Sequence, residues 1–102
     1  MTGAETQKAQ KTHKADAAVA AGVADLFVQG RVVVVPRRPA RRRQLLTHLA
    51  QTLFGRERDY SEEEVNEALL RVHDDPSALR RYLVEEGLLT RTPDGRRYWR
   101  DW

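Results

Sequence analysis

Apolar residues recur along the chain with helical spacing in four stretches and as one β-branched run. Val19, Val23, Leu26 and Phe27 stand at i, i+4, i+7 and i+8, with alanines in most gaps. That pattern predicts an N-terminal helix over residues 15–28. Gly22 inside it costs about 1 kcal/mol relative to alanine, and Gln29-Gly30 reads as its end. Residues 1–14 carry no apolar period and read as a disordered tail. Arg31–Val35 is β-branched and closed by Pro36, hence a short strand. Its consecutive valines ask for cover on both faces.

Three central helices follow. Leu45, Leu46, Leu49 and Leu53 mark the first, over about Arg41–Phe54, after Pro39 and before Gly55. The second covers residues 61–72. Ser61 and Glu64 form a capping-box sequence ahead of the stripe Val65, Ala68, Leu69, Val72. The third covers residues 76–86, with Asp75 as N-cap, Pro76 at the first helical position and Leu79, Tyr82 and Leu83 inward. Gly87 ends it, with Leu88 placed for the apolar contact that often accompanies such an ending. Leu88–Thr92 and Arg96–Arg100 then read as strands around an Asp94-Gly95 turn.

The order strand, three helices, hairpin predicts an α+β fold, a winged helix-turn-helix with a C-terminal β-hairpin wing. One extra N-terminal helix precedes it, and residues 15–102 form one domain. Ser61, Asp75, Gly87 and Gly95 are the expected structural positions. Trp99 joins them, because adjacent Tyr98 and Trp99 face opposite ways and one of the two closes the core.

Composition bounds the function. The chain has 102 residues, no cysteine, and 18 basic against 15 acidic side chains, for a net +3. Disulfide, thiolate-metal and cysteine-nucleophile chemistry are excluded. The longest compact apolar run is Val32–Val35, which rules out a bilayer span, and no secretory signal opens the chain. The expectation is a cytoplasmic protein. The charges are segregated. Residues 31–43 hold six arginines and no acid; residues 57–75 hold eight acids against two arginines; residues 76–100 hold six arginines against three acids. Arginines number 15 and lysines 3. Codon usage in a GC-rich genome could explain that ratio, but not the clustering.

Several short stretches carry a family resemblance. They are Tyr60-Ser61-Glu62 with Glu64-Val65-Asn66-Glu67, His73-Asp74-Asp75, Leu79-Arg80-Arg81-Tyr82-Leu83-Val84 with Gly87-Leu88-Leu89, and Asp94-Gly95 with Tyr98-Trp99-Arg100. Together they resemble an uncharacterised bacterial domain, one of the DUF type, found alone and within transcriptional regulators. The resemblance covers roughly residues 26–100. It implies a link to transcription and no catalytic residues. It leaves open whether the domain contacts DNA or serves another role in regulators with a separate DNA-binding module.

Two uses of the charge compete. In the first, double-stranded DNA is held by the third helix and the wing. Ser77, Arg80 and Arg81 would face the major groove, where arginine can grip guanine bidentately. Arg91, Arg96 and Arg97 of the wing would hold phosphates, as would Arg42 and Arg43. The plain alternative is that Arg80 and Arg81 serve Glu85 or the acidic second helix, and that the wing charges protect a sheet edge. In the second use, Glu62, Glu63, Glu64 and Glu67 make the second helix an acidic face for a protein partner, or for a second copy of the chain. The same carboxylates would repel DNA. His73, Asp74 and Asp75 are contiguous, and contiguous residues rarely point at one metal, so they read as a turn with an Asp cap; neither His13 nor His48 has a convincing partner. No phosphate-binding glycine loop and no nucleophile–base spacing is present. The expectation is a protein that is not an enzyme, with no metal, no cofactor, no small-molecule substrate and no membrane contact.

Overall fold

The computed structural model describes residues 17–102. The expected tail, residues 1–14, lies outside them. The described chain is a mixed α+β fold with small antiparallel sheets.

The first difference from expectation falls at Gly22. Residues 17–20 are helical, but the helix does not continue to residue 28. Gly22 adopts φ +75, its N–H bonds Val19 O at 3.0 Å, and Val23 N–H bonds Ala18 O at 2.9 Å. That is a Schellman ending, in which glycine supplies the left-handed residue. Gly22 therefore stops the helix and is not a tolerated flaw within it. Val19 is left exposed, while Val23 and Leu26 reach the core by another route. A single 3-10 turn, Ala24–Leu26, leads into strand β1, Phe27–Val28.

β1 pairs with β2, Arg31–Val32, through a two-residue turn. Gln29 and Gly30 there have φ 51 and 78, the pair of positive values that a type I′ hairpin requires. Gln29-Gly30 thus reverses the chain between strands. The expected strand Arg31–Val35 is shorter for a related reason. Val32 is buried and its N–H bonds Val72 O at 2.6 Å, and Val33 N–H bonds Leu26 O at 2.9 Å. Beyond that Val33 and Val34 are exposed, so nothing covers the run on both faces. This strand also stays with β1 and does not join the C-terminal hairpin.

Helix α1 is Pro39–Leu53, with Leu45, Leu46, His48, Leu49 and Ala50 buried. His48 packs edge-on against Phe27, ring centroids 5.6 Å apart, and burial holds its imidazole below the ordinary pKa. Strand β3, Asp59–Tyr60, was not expected. Two residues between a glycine turn and a helix cap are too short to alternate. Helix α2, Glu62–Leu70, begins with the anticipated capping box: Ser61 Oγ accepts from Glu64 N at 3.1 Å, and Glu64 Oε1 accepts from Ser61 N at 2.9 Å. Helix α3, Pro76–Glu85, is capped by Asp75, whose carboxylate accepts from Ala78 N at 3.2 Å. Gly87 ends α3 at φ +72, with Leu88 N–H on Leu83 O at 2.8 Å. Both leucines lie in the core.

Strands β4, Thr90–Arg91, and β5, Tyr98–Trp99, complete a three-stranded antiparallel sheet in the order β3-β5-β4. Tyr98 opposes Tyr60 and Arg91; Trp99 opposes Asp59 and Thr90. Tyr98 is the one that closes the core, so the structural role expected of Trp99 belongs to its neighbour. Trp99 is half-buried on the other face. The core joins Leu45, Leu46, Leu49 and Phe54 of the α1 region to Val65 and Leu69 of α2, Leu79 and Leu83 of α3, and Leu89 and Tyr98 of the sheet.

A methyl group at residue 87 would meet no atom within 4 Å. Any cost of Gly87→Ala therefore comes from the positive φ alone. Thermal denaturation should show a loss of about 1 kcal/mol.

Candidate interaction surface

The arginines expected to face a nucleic acid are for the most part engaged within the chain. Arg80 leans on α2: its guanidinium bonds Asn66 Oδ1 and lies 3.6 Å from Glu62, and its side chain is 21% exposed. Arg97 is ion-paired with Asp59 across the sheet. Arg43 donates to both Glu86 O at 3.0 Å and the Glu86 carboxylate at 2.8 Å. Arg42 stacks over the Tyr82 ring at 4.9 Å and donates to Arg37 O at 3.3 Å. Arg91 curls onto the wing turn, donating to Thr92 O and Pro93 O.

Of the expected contacts, only Arg42 and Arg80 are half-buried; Arg43, Ser77, Arg81, Arg91, Arg96 and Arg97 stay exposed even where they are bonded. Ser77, Arg81 and Glu85 form the exposed stripe of α3 at i, i+4, i+8. Arg81 lies 3.8 Å from Glu85, so the pair carries no net charge towards a phosphate. Arg96, on the wing turn, is 86% exposed and 3.9 Å from Asp94. Arg80 and Arg81 are thus separated by the structure: one is a strut between helices, the other a surface residue.

The wing turn itself is rigidly bonded. Asp94 accepts from Thr92 Oγ1 at 2.6 Å and from Arg96 N at 3.0 Å, and Gly95 turns at φ +71. The Thr92 hydroxyl and the Arg96 N–H together pull the Asp94 pKa below the ordinary carboxylate value. Glu64 is lowered in the same direction, first by the Ser61 N–H and then by Arg58 beside it.

A pattern not foreseen from sequence accounts for many of the remaining arginines. No basic residue occupies the last turn of α1, α2 or α3. Each of these helix ends is instead met by a guanidinium from a distant part of the chain. Arg100 donates to Phe54 O at the end of α1, at 3.1 Å. Arg31 donates to Leu70 O and Arg71 O at the end of α2, at 3.0 and 3.1 Å, and pairs with Asp74. Arg43 takes Glu86 O at the end of α3. Arg41 repeats the arrangement at the N-terminal helix, bonding Gly22 O and Asp25. A positive charge is favoured where unpaired helix carbonyls collect. In Arg31 and Arg41 one guanidinium nitrogen takes carbonyl oxygen and the other a carboxylate, a two-point grip that the single nitrogen of lysine does not offer.

Four carboxylates of the acidic segment are ion-paired. Arg80–Glu62, Arg97–Asp59 and Arg31–Asp74 join it to the basic segments on either side, and Arg58–Glu64 lies within it. Among the described residues, Glu63 and Glu67 of α2 have no ion-pair partner and are exposed. A second kind of surface is apolar. Val28, Val33, Val34 and Leu70 are each more than half exposed. No helix of the described residues is long and apolar enough to cross a membrane.

A family model described as "Uncharacterized protein conserved in bacteria (DUF2087)" matches residues 31–100. The chain belongs to this DUF2087 family. The match begins at Arg31, the cap of α2, and ends at Arg100, the cap of α1. No curated protein matches the chain, and no solved structure does.

Two measurements probe these assignments. Arg31→Lys keeps the charge but loses the fork, and should cost about 0.5–1 kcal/mol in chemical denaturation. Glu64→Gln keeps the capping box and loses the charge. Because the folded pKa of Glu64 is lowered, its contribution is present above the unfolded value of 4.5 and is lost as pH falls through the folded value. The melting temperatures of wild type and Glu64→Gln should differ at pH 6 and converge towards pH 3.

Proposed function

We propose that this DUF2087 domain is a non-enzymatic module of winged-helix type, associated with transcription, that works by contacting protein and not by holding DNA. Support for the winged-helix reading comes from topology. The order α1, β3, α2, α3, β4, β5 places a short strand between the first two helices. That strand pairs with β5, the inner strand of a C-terminal hairpin. α3 then takes the place of a recognition helix, and residues 92–97 that of the wing. The link to transcription rests on the family resemblance.

The observation that carries the partner reading is the internal use of the arginines. A DNA-binding winged helix keeps its recognition-helix and wing cations free for phosphate and base edges. Here Arg80, Arg97, Arg43 and Arg31 are committed to Glu62, Asp59, Glu86 and Asp74. What is left outward is a mixed-sign α3 stripe, the unpaired Glu63 and Glu67 on α2, the arginines Arg37, Arg38, Arg56, Arg71 and Arg91 without a carboxylate partner among the described residues, and the exposed Val28, Val33, Val34 and Leu70. Exposed apolar side chains favour a protein partner.

One observation favours DNA. Arg96 on the wing and Arg81 on α3 are both outward, with Ser77 one turn from Arg81. The two readings part in a salt series with duplex DNA. Two phosphate contacts would give a slope of log K against log salt of about −2. The partner reading expects no measurable duplex binding at 50 mM salt, a low ionic strength where such contacts are strongest. Binding with that slope, abolished by Arg96→Glu, would establish the DNA reading instead.

A further inference from the structure

The exposed valines are gathered by the hairpin. In an antiparallel pair, residues opposite each other share a face. Val28 opposes Arg31, and Phe27 opposes Val32. Val32 is buried, so the Phe27–Val32 side is the inner one. Val28 and Arg31 are therefore on the outer side, and the alternation of β2 sends Val33 outward as well. Val34 follows and is also exposed. Arg31 reaches across to the carbonyls of Leu70 and Arg71, which brings the end of α2 beside this face. Leu70 there is exposed too. The result is a patch of Val28, Val33, Val34 and Leu70 around the Arg31–Asp74 pair.

We infer that this patch is the contact between two copies of the chain, related by a twofold axis. The inference rests on the protein-contact reading above and names its partner. The argument is complementarity. A twofold interface places the same surface on both sides, so it must suit itself. This patch does. Its apolar residues match their own copies. Its polar part carries both signs side by side, so that rotation sets Arg31 of one copy towards Asp74 of the other. Both groups have capacity to spare. The Asp74 side chain is 95% exposed and that of Arg31 44%, and a carboxylate accepts from more than one donor. A patch of one sign would repel its own copy. Glu63 and Glu67 on α2 are of that kind.

The test is sedimentation equilibrium of the full chain across micromolar to millimolar concentration, with three variants. Wild type should show a concentration-dependent dimer. Val33→Asp and Leu70→Asp, both at exposed sites, should weaken dimerisation at least tenfold while leaving the circular dichroism spectrum unchanged. Asp74→Arg, which sets two cations against each other across the axis, should do the same. A wild-type chain that stays monomeric to millimolar concentration overturns the inference. A dimer that survives all three variants overturns it equally. Either result leaves the protein-contact reading standing, since that reading falls only on the duplex titration.

Discussion

The arrangement of helices in this protein depends on arginine side chains reaching the carbonyl ends of helices far away in sequence. A helix ends with up to four carbonyls that lack an intrahelical partner, and they carry the negative pole of its dipole. Most chains meet that need locally, with a lysine or arginine in the last turn or a glycine ending. Here α1 and α2 have neither. Their ends are met by Arg100 and Arg31, 46 and 39 residues distant from the carbonyls they bind. α3 has its glycine and receives Arg43 as well. Each such bond ties one element to another as it completes a helix. Local secondary structure and tertiary placement are therefore secured by the same contacts.

This explains why the sequence disclosed some features and hid others. The capping box at Ser61, the Asp75 cap and the Gly87 ending all involve residues within five positions of each other, so spacing alone revealed them. Gly22 was misread because a glycine among alanines is compatible with either a weakened helix or its end. The Schellman bonds of Gly22 and Val23 decide for the end. Strand β3 escaped because it is two residues long and owes its existence to β5, which lies 38 positions away. The candidate site was the least legible part. Arg80 and Arg81 are neighbours of identical chemistry, yet one faces α2 and the other faces water. The step of about 100° per residue puts Arg81 opposite the buried Leu79 and Leu83 and Arg80 on their flank; that α2 lies against that flank is set by tertiary packing, which spacing does not show.

The charge map changes meaning for the same reason. Read along the chain, a basic block, an acidic block and a second basic block suggest two binding surfaces of opposite sign. Folded, the blocks meet: Arg31, Arg80 and Arg97 each find a carboxylate of the 57–75 segment. Segregation in sequence here is a prescription for pairing in space. Most of these pairs are exposed, and an exposed pair adds little stability on its own. Their effect is better described as selection among arrangements. A different packing of α2 against α3 would separate Arg80 from Glu62 and Asn66.

Arg31 shows where the two roles of charge join. It closes α2, pairs with Asp74 and stands at the centre of the exposed valine and leucine patch. The span shared with the family begins at this residue, whereas Val28 and strand β1 precede it. The cap is thus within the family's common region, while the strand that completes the patch lies upstream. The hairpin exists only because Gln29 and Gly30 both accept positive φ, and it presents Val28 beside Arg31 only in that register. A one-residue slip would turn Val28 to the other face and break up the patch. The patch is thus defined by the register of a two-residue strand. That register is fixed from the inside by Val32 in the core and its bond to Val72, so the outer surface is as well defined as the core that sets it.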